Sequence, residues 1–318
     1  MTLSDAAVSR LRAIGNWPEF ESGRYVIVEE IGRGGMGTVF LARDEALGRE
    51  VAIKIPNGVN GEALDRRLQR EARALARLEH PGIVPIHDAG RLADGRVFYV
   101  MKRVEGRTLR EYLSAVSDVA ARLGVFERIC EPVAFAHARG VVHRDLKPDN
   151  VMIGAFGEVM VMDWGAAKTD DGRAGDEAET SHDTVMGTHG FMAPEQASGA
   201  PIDGRADVYA LGAILFLFLT NELPPVSDPS GGLAREDIPR PLRAICGKAL
   251  APSREARYQT VTALADDVAR FRAGHAVAAY REGLLERVLR FERRYRAAIL
   301  LIAAYVVMRA LVALFVGW

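Results

Sequence analysis

Residues 143–150 read HRDLKPDN. The stretch gathers a carboxylate, two cations and an amide, and Pro148 keeps it from becoming an ordinary helix. A loop of this composition exposes chemistry. Asp145 can accept a hydroxyl proton or orient that hydroxyl, Lys147 can offset charge on a transferring phosphoryl group, and Asn150 offers a carbonyl oxygen to Mg²⁺. His143, at the head of the loop, reads as a packed core histidine rather than a proton carrier.

Just downstream, residues 151–153 and 159–162 are short apolar runs around a turn at 154–158, the pattern of a hairpin. Such a hairpin returns Asp163 near Asn150. Two oxygen ligands then flank one space, which suits a hard cation that takes few protein ligands and completes its shell with phosphate oxygens. In the alternative reading of Asp163-Trp164-Gly165, the aspartate simply caps a loop.

Upstream, residues 31–39 read IGRGGMGTV and place Gly32, Gly34 and Gly37 in G-x-G-x-x-G spacing, which lets backbone amides approach a phosphate. The strand-like TVFLA at 38–42 favours a β-hairpin flap over a dinucleotide turn. A merely structural turn is the other reading. Residues 51–55, VAIKI, alternate so that Val51, Ile53 and Ile55 share one face and Ala52 and Lys54 the other. That second face suits a floor for a flat ring beside an ammonium, or else a solvated lysine. Leu64, Leu68, Glu71, Leu75 and Leu78 recur at helical spacing, so a carboxylate lies in an apolar stripe. Lys54 is its natural partner, with water at the edge of the stripe as the alternative. The apolar run 97–101 ends at KRVEG, a turn expected to act as a hinge and to pair adenine with its backbone.

The chain has 318 residues, 49% hydrophobic and 26% charged, enough to bury a large core in about two domains. Short β-rich runs fill 25–104 and helical spacing dominates beyond, which implies a small β-rich lobe before a larger helical one, with a cleft between. A net charge of −1 and the lack of a basic stripe argue against nucleic acid as a partner. Cys130 and Cys246 lie in apolar helical stretches and read as buried, reduced thiols. The polar run 169–183, TDDGRAGDEAETSHD, reads as a mobile loop.

The glycine flap, VAIK, Glu71, HRDLKPDN, Asp163-Trp164-Gly165 and Ala193-Pro194-Glu195 follow one another in an order that resembles bacterial Hanks-type serine/threonine protein kinases. FMAPEQ at 191–196 and DVYALG at 207–212 look like that group's wording. The resemblance covers about residues 25–272. It implies a bilobal α+β kinase fold, with an N-lobe over about 25–104 and a C-lobe over about 105–272. It also implies transfer of the ATP γ-phosphate to protein hydroxyls, autophosphorylation and a signalling role. A weakly active or non-catalytic kinase-fold scaffold is the alternative.

Carried over residue by residue, the resemblance makes Lys54 and Glu71 an activating ion pair and Asp145 the base, and it places Mg²⁺, with Mn²⁺ as a substitute, on Asn150 and Asp163. The implied nucleotide contacts are Ile31, Gly32, Arg33, Gly34, Gly35, Met36, Gly37 and Val39 in the flap, Ala52 and Lys54 behind it, and Met101 and Val104 at the hinge. Lys147 with Thr188 resembles the serine/threonine arrangement. Arg144 is expected to receive a phosphate on Thr180, Ser181 or Thr184, with Thr184 preferred. Glu195 and Arg257 look like the family's buried pair, and Asp207 like a support of the catalytic loop. Three departures stand out. Trp164 replaces the usual phenylalanine, Lys102 and Arg103 make the hinge basic, and residues 223–241 are shorter than the family's substrate-docking segment. The last leaves room for a tethered substrate, trans-autophosphorylation or a partner that supplies contacts.

Residues 1–24 lack a secretory pattern and read as a leader. Residues 297–316 begin the apolar run AAILLIAAYVVMRALVALFVGW, about the length that crosses a bilayer. Arg309 costs about 3 kcal/mol at mid-span, and eleven Leu, Ile, Val and Phe residues return about 0.3–0.6 kcal/mol each. Arg287, Arg290, Arg293, Arg294 and Arg296 in the basic juxtamembrane segment 273–296 place its N-terminal side in the cytoplasm. The expectation is a single-pass transmembrane helix that anchors a cytoplasmic kinase to the bacterial inner membrane by its tail, with no outer sensor of its own. A long apolar helix packed on the body or on a second copy is the alternative.

Overall fold

The computed structural model describes residues 18, 20, 23–34, 37–56, 78–164, 168–169, 189–225, 228 and 231–316. Five strands form the N-terminal sheet: β1 (Tyr25–Gly34), β2 (Gly37–Asp44), β3 (Arg49–Pro56), β4 (Ile86–Arg91) and β5 (Val97–Lys102), in the order β1-β2-β3-β5-β4, all neighbours antiparallel. The period-two alternation in β3 decides what each face does. Val51, Ile53 and Ile55 are buried against Phe40, Phe98 and Val100, while Ala52 and Lys54 occupy the opposite face. The register sets Lys54 beside Val39 on one side and Tyr99 on the other, and Ala52 beside Met101.

After the hinge come β6 (Gly106–Thr108), α1 (Leu109–Ala115), α2 (Val119–His137), β7 (Val141–Val142), β8 (Val151–Gly154), β9 (Val159–Val161) and β10 (Lys168–Thr169). A Thr108/Glu111 capping box starts α1, and the Asp118 carboxylate accepts the Ala120 and Ala121 amides at the head of α2. Then follow α3 (Pro194–Ala197), α4 (Arg205–Thr220), α5 (Arg240–Ala249), α6 (Val261–Arg272) and α7 (Leu284–Val316). Helix α4 is apolar on every face and correspondingly buried all round. It forms the axis of the helical core with α2, α5 and α6 packed against it.

Two buried arginines tie this core together. Arg122 donates to the Leu113, Val116 and Phe218 carbonyls at 2.7–3.0 Å, satisfying acceptors at the C-terminal ends of α1 and α4. Arg257 makes a two-pronged pair with Glu195 at 2.7 and 2.8 Å and gives its remaining donors to the Ala251, Arg205 and Pro252 carbonyls. Both members of the pair are buried, and full hydrogen bonding makes a charge pair tolerable there. Between α4 and α5, the described residues hold one 3₁₀ turn, Gly231–Leu233, and bury Leu233 and Ile238 in the core.

The segment from α6 to Glu286 is docked on the body. The Asp267 carboxylate accepts the Tyr258 hydroxyl and the Ala278 and Ala279 amides, and Val277 is buried. Glu286 accepts from Gly283 N, Tyr280 Oη and Arg240. Helix α7 therefore begins within the expected juxtamembrane segment, and its one non-helical residue is Tyr295 (φ −106°, ψ 15°). Among the described residues no helix is long and apolar enough to cross a membrane. The expected span 297–316 has its ends, 297–298 and 313–316, outside the described side chains. Residues 299–312 are exposed.

Candidate active site

The 143–150 loop is pinned from beneath. Asp207, fully buried in the first turn of α4, accepts the backbone amides of His143 and Arg144 at 2.8 Å each and a hydrogen bond from His137 Nε2 at 2.7 Å. Burial alone would raise its carboxyl. The His137 hydrogen bond and charge, with help from His143 and the Arg144 amide, outweigh burial and hold it below the usual carboxylate range. These bonds stabilise Arg144 at φ 69°, a left-handed conformation unfavourable for a side-chain-bearing residue. From the other side, Gln196 of α3 donates to the Arg144 carbonyl at 2.8 Å and accepts the Ala193 amide at 3.1 Å. His143 lies fully buried against the Trp164 ring, with Nε2 on the Met162 carbonyl at 2.9 Å and Nδ1 on the Asp145 amide at 3.3 Å. Both ring nitrogens are committed to the backbone, so this histidine supports the loop.

Asp145 is presented by its neighbours. Lys147 Nζ donates to Asp145 Oδ2 at 2.8 Å, and Asn150 Nδ2 donates to the Asp145 carbonyl at 2.7 Å and to Oδ2 at 3.0 Å. With its nitrogen so committed, Asn150 keeps Oδ1 as a ligand atom. The β8–β9 hairpin closes as its spacing requires: Met162 N donates to the Asn150 carbonyl at 2.8 Å, which sets Asp163 beside the loop. Asp163, at φ 57°, forms a close ion pair with Lys54. Burial raises its carboxyl, but the charge and hydrogen bond of Lys54, with His143 and Lys147 nearby, carry it below the usual range. An ionised carboxylate thus lies beside Lys54, next to the loop that carries Asn150.

The flap glycines divide into two kinds. A Cβ at Gly37 (φ 145°) would stand 2.4 Å from the Ile55 carbonyl, so packing against β3 requires glycine there. A Cβ at Gly34 would meet nothing within 4 Å, and one at Gly32 only Val39 Cβ at 3.9 Å. Among the described residues no packing contact explains those two, and glycine at both positions suits close approach of a phosphate. Ile31 is exposed on this hairpin. Arg33, expected among the nucleotide contacts, gives its fork to Glu30 at 2.6 and 2.8 Å. Val39, Ala52 and Met101 line up through the sheet register, and Val104 is half-buried past the end of β5.

The expected basic cleft entrance is corrected by pairing. Arg103 is neutralised by ion pairs to Glu50 and Glu105. Lys102, on the opposite face of the strand from Met101, lines a separate groove with Ile86, Arg128 and Phe156. Gly35, Met36, Glu71, Thr180, Ser181, Thr184 and Thr188 lie outside the described residues, as does the polar run beyond Thr169. The partner described for Lys54 is Asp163. Cys130 and Cys246 are buried, and burial pushes both thiols far up. Among the described residues no cluster of three or more His, Cys, Asp or Glu forms a ready-made metal site. A cation held by Asn150 and Asp163 would take its remaining oxygens from substrate, which is the habit of Mg²⁺. Two supports were missed in the sequence, His137 and Gln196; His137 stands in a stretch readable as plain helix, Gln196 closes FMAPEQ with no role assigned, and only the distant partner marks each.

Residues 25–296 match the family described as Protein kinase domain. Serine/threonine-protein kinase PknD of Chlamydia felis is 35% identical over 288 residues, covering 77% of this chain and 30% of that protein. PknD of Chlamydia trachomatis is 38% identical over 252 residues, covering 69% and 27%. The chain thus spans less than a third of the length of these curated relatives. Among solved structures, a double mutant of the PknI kinase domain of Mycobacterium tuberculosis superposes with a TM-score of 0.63 at 26% identity, covering 78% of this chain and 96% of that one.

Proposed function

Because this chain belongs to the protein kinase family and carries a bilobal serine/threonine protein kinase domain, we propose that it transfers the γ-phosphate of ATP to serine and threonine hydroxyls of proteins, itself included. What carries the reading is the gathering of Asp145, Lys147, Asn150, Lys54 and Asp163, from three distant segments, around one space. Asp145 orients the acceptor hydroxyl and takes its proton, and Lys147 holds that carboxylate in place. Lys54 is positioned for phosphate, beneath a flap where Gly32 and Gly34 carry no side chain to hold a phosphate off. Asn150 Oδ1 and the Asp163 carboxylate are the groups that would hold Mg²⁺. When bound, the ion offsets charge on the phosphates.

Phosphoamino-acid analysis of the full chain incubated with labelled ATP and Mg²⁺ tests the assignment. Phosphoserine and phosphothreonine are expected on the chain and on added protein. Label confined to phosphotyrosine, or absent, refutes it. The same sample maps Thr180, Ser181 and Thr184, the hydroxyls expected to supply a phosphate to Arg144.

For location, we read residues 297–316 as a membrane-crossing helix with the kinase domain on its cytoplasmic side. Support comes from the helical backbone that runs beyond Tyr295 to Val316, the exposure of residues 299–312 and the arginines that precede them. Fractionation of the full chain should recover it with membranes, and Val306→Glu should release a large share. Recovery of both proteins in the soluble fraction defeats this reading.

A further inference from the structure

We infer that Arg110 and Asp149 form a charge gate that selects against acceptor polypeptides with basic residues beside the target hydroxyl. The inference rests on the kinase reading and adds a class of substrate to it. Asp149 is the carboxylate of the 143–150 loop that the chemistry leaves unused. Its neighbour Asn150 touches Asp145 at 2.7 and 3.0 Å, and consecutive Cα atoms lie about 3.8 Å apart, so Asp149 stands within about 10 Å of the base. A polypeptide extended through the site advances about 3.3 Å per residue. Side chains two or three positions from the acceptor therefore come within reach of Asp149, which is 45% exposed.

Left alone, this carboxylate would attract lysine or arginine from the substrate. Arg110 prevents that. Placed in the first turn of α1 by the Thr108/Glu111 capping box, it sets Nε 2.7 Å from one Asp149 oxygen and a terminal nitrogen 2.7 Å from the other. This two-pronged geometry occupies the carboxylate more fully than a point charge would. Arg110 is itself 56% exposed, and Arg107, also exposed, lies one turn before it on the Tyr112 ring. A basic flanking residue thus finds its carboxylate taken and meets like charge, whereas an acidic or neutral one does not. A pair that only braces α1 against the loop would change stability and leave charge preference untouched.

The test uses the full chain and three threonine peptides alike except for Ala, Arg or Glu at the second and third positions on both sides of the acceptor. In wild type, kcat/KM should be lowest for the Arg peptide. In Arg110→Ala the Arg peptide should gain about fivefold relative to the Glu peptide, and Asp149→Asn, which releases Arg110, should shift the ratio about fivefold the other way, with the Ala peptide unchanged in both. Raising ionic strength on wild type should narrow the discrimination, a readout that needs no variant to fold. Transfer with the same Arg-to-Glu ratio in all proteins and at all salt concentrations overturns the gate alone. Absence of transfer to any peptide and to the chain itself overturns the kinase reading, and the gate with it.

Discussion

Replacing Asp145 by asparagine should lower phosphate transfer by about 10²–10⁴-fold, the contribution of a positioned base. The amide keeps the shape of the carboxylate and one oxygen to accept from Lys147 or Asn150, so the loop keeps its conformation. What disappears is the negative oxygen that receives the hydroxyl proton. KM for ATP should hold, because Asp145 touches no expected nucleotide contact. The ion pair with Lys147 is partly exposed, so urea unfolding should shift by less than about 1 kcal/mol. Steady-state incorporation and equilibrium denaturation on the same preparation decide it. Turnover within about tenfold of wild type would remove Asp145 from the reaction.

Asp207→Ala should be the most damaging change outside the reacting groups. It leaves the His143 and Arg144 amides and His137 Nε2 without their acceptor in a fully buried position, a loss of about 3–5 kcal/mol by comparison with broken buried pairs. The same bonds hold Arg144 at φ 69°, so their removal frees the backbone just before Asp145 to relax. Assayed at a temperature where the variant is folded, kcat should fall with KM for ATP little changed, the behaviour of a positioning residue. The destabilisation also carries a pH sign. The folded-state carboxyl is held below its unfolded value, so its contribution is present above the unfolded range, near about pH 4, and is lost as pH falls through the folded value. The wild-type advantage in unfolding free energy should therefore shrink on acidification. A constant difference between pH 7 and the acid limit of folding would rule out the charged bonds as its source.

Much of this site was legible before any tertiary information. Strand alternation put Lys54 on the face with Ala52, and hairpin spacing returned Asp163 to Asn150, because both follow from local backbone geometry of period two and a short turn. The hinge was legible as a turn but not as an electrostatic object. Counting Lys102 and Arg103 as free cations overlooked Glu50, on the neighbouring strand β3, and the strand pleat that sends Lys102 to another groove. Gly37 shows the same limit. Its motif suggested phosphate, whereas its own lack of a side chain answers the Ile55 carbonyl one strand away.

By itself, then, the sequence determined the order of the chemical groups, the flap, the hairpin and the buried faces of sheet and helix, since these depend on residues within a few positions of one another. Tertiary structure alone decided which distant groups meet. Asp207 reaches across 64 residues to His143, Gln196 across 52 to Arg144, and Arg110 across 39 to Asp149. Charge and hydrogen-bonding capacity can be read from any of these residues alone. The partner cannot, because the packing of α1, α3 and α4 around one loop selects it, and that packing is paid for by apolar burial elsewhere in the chain.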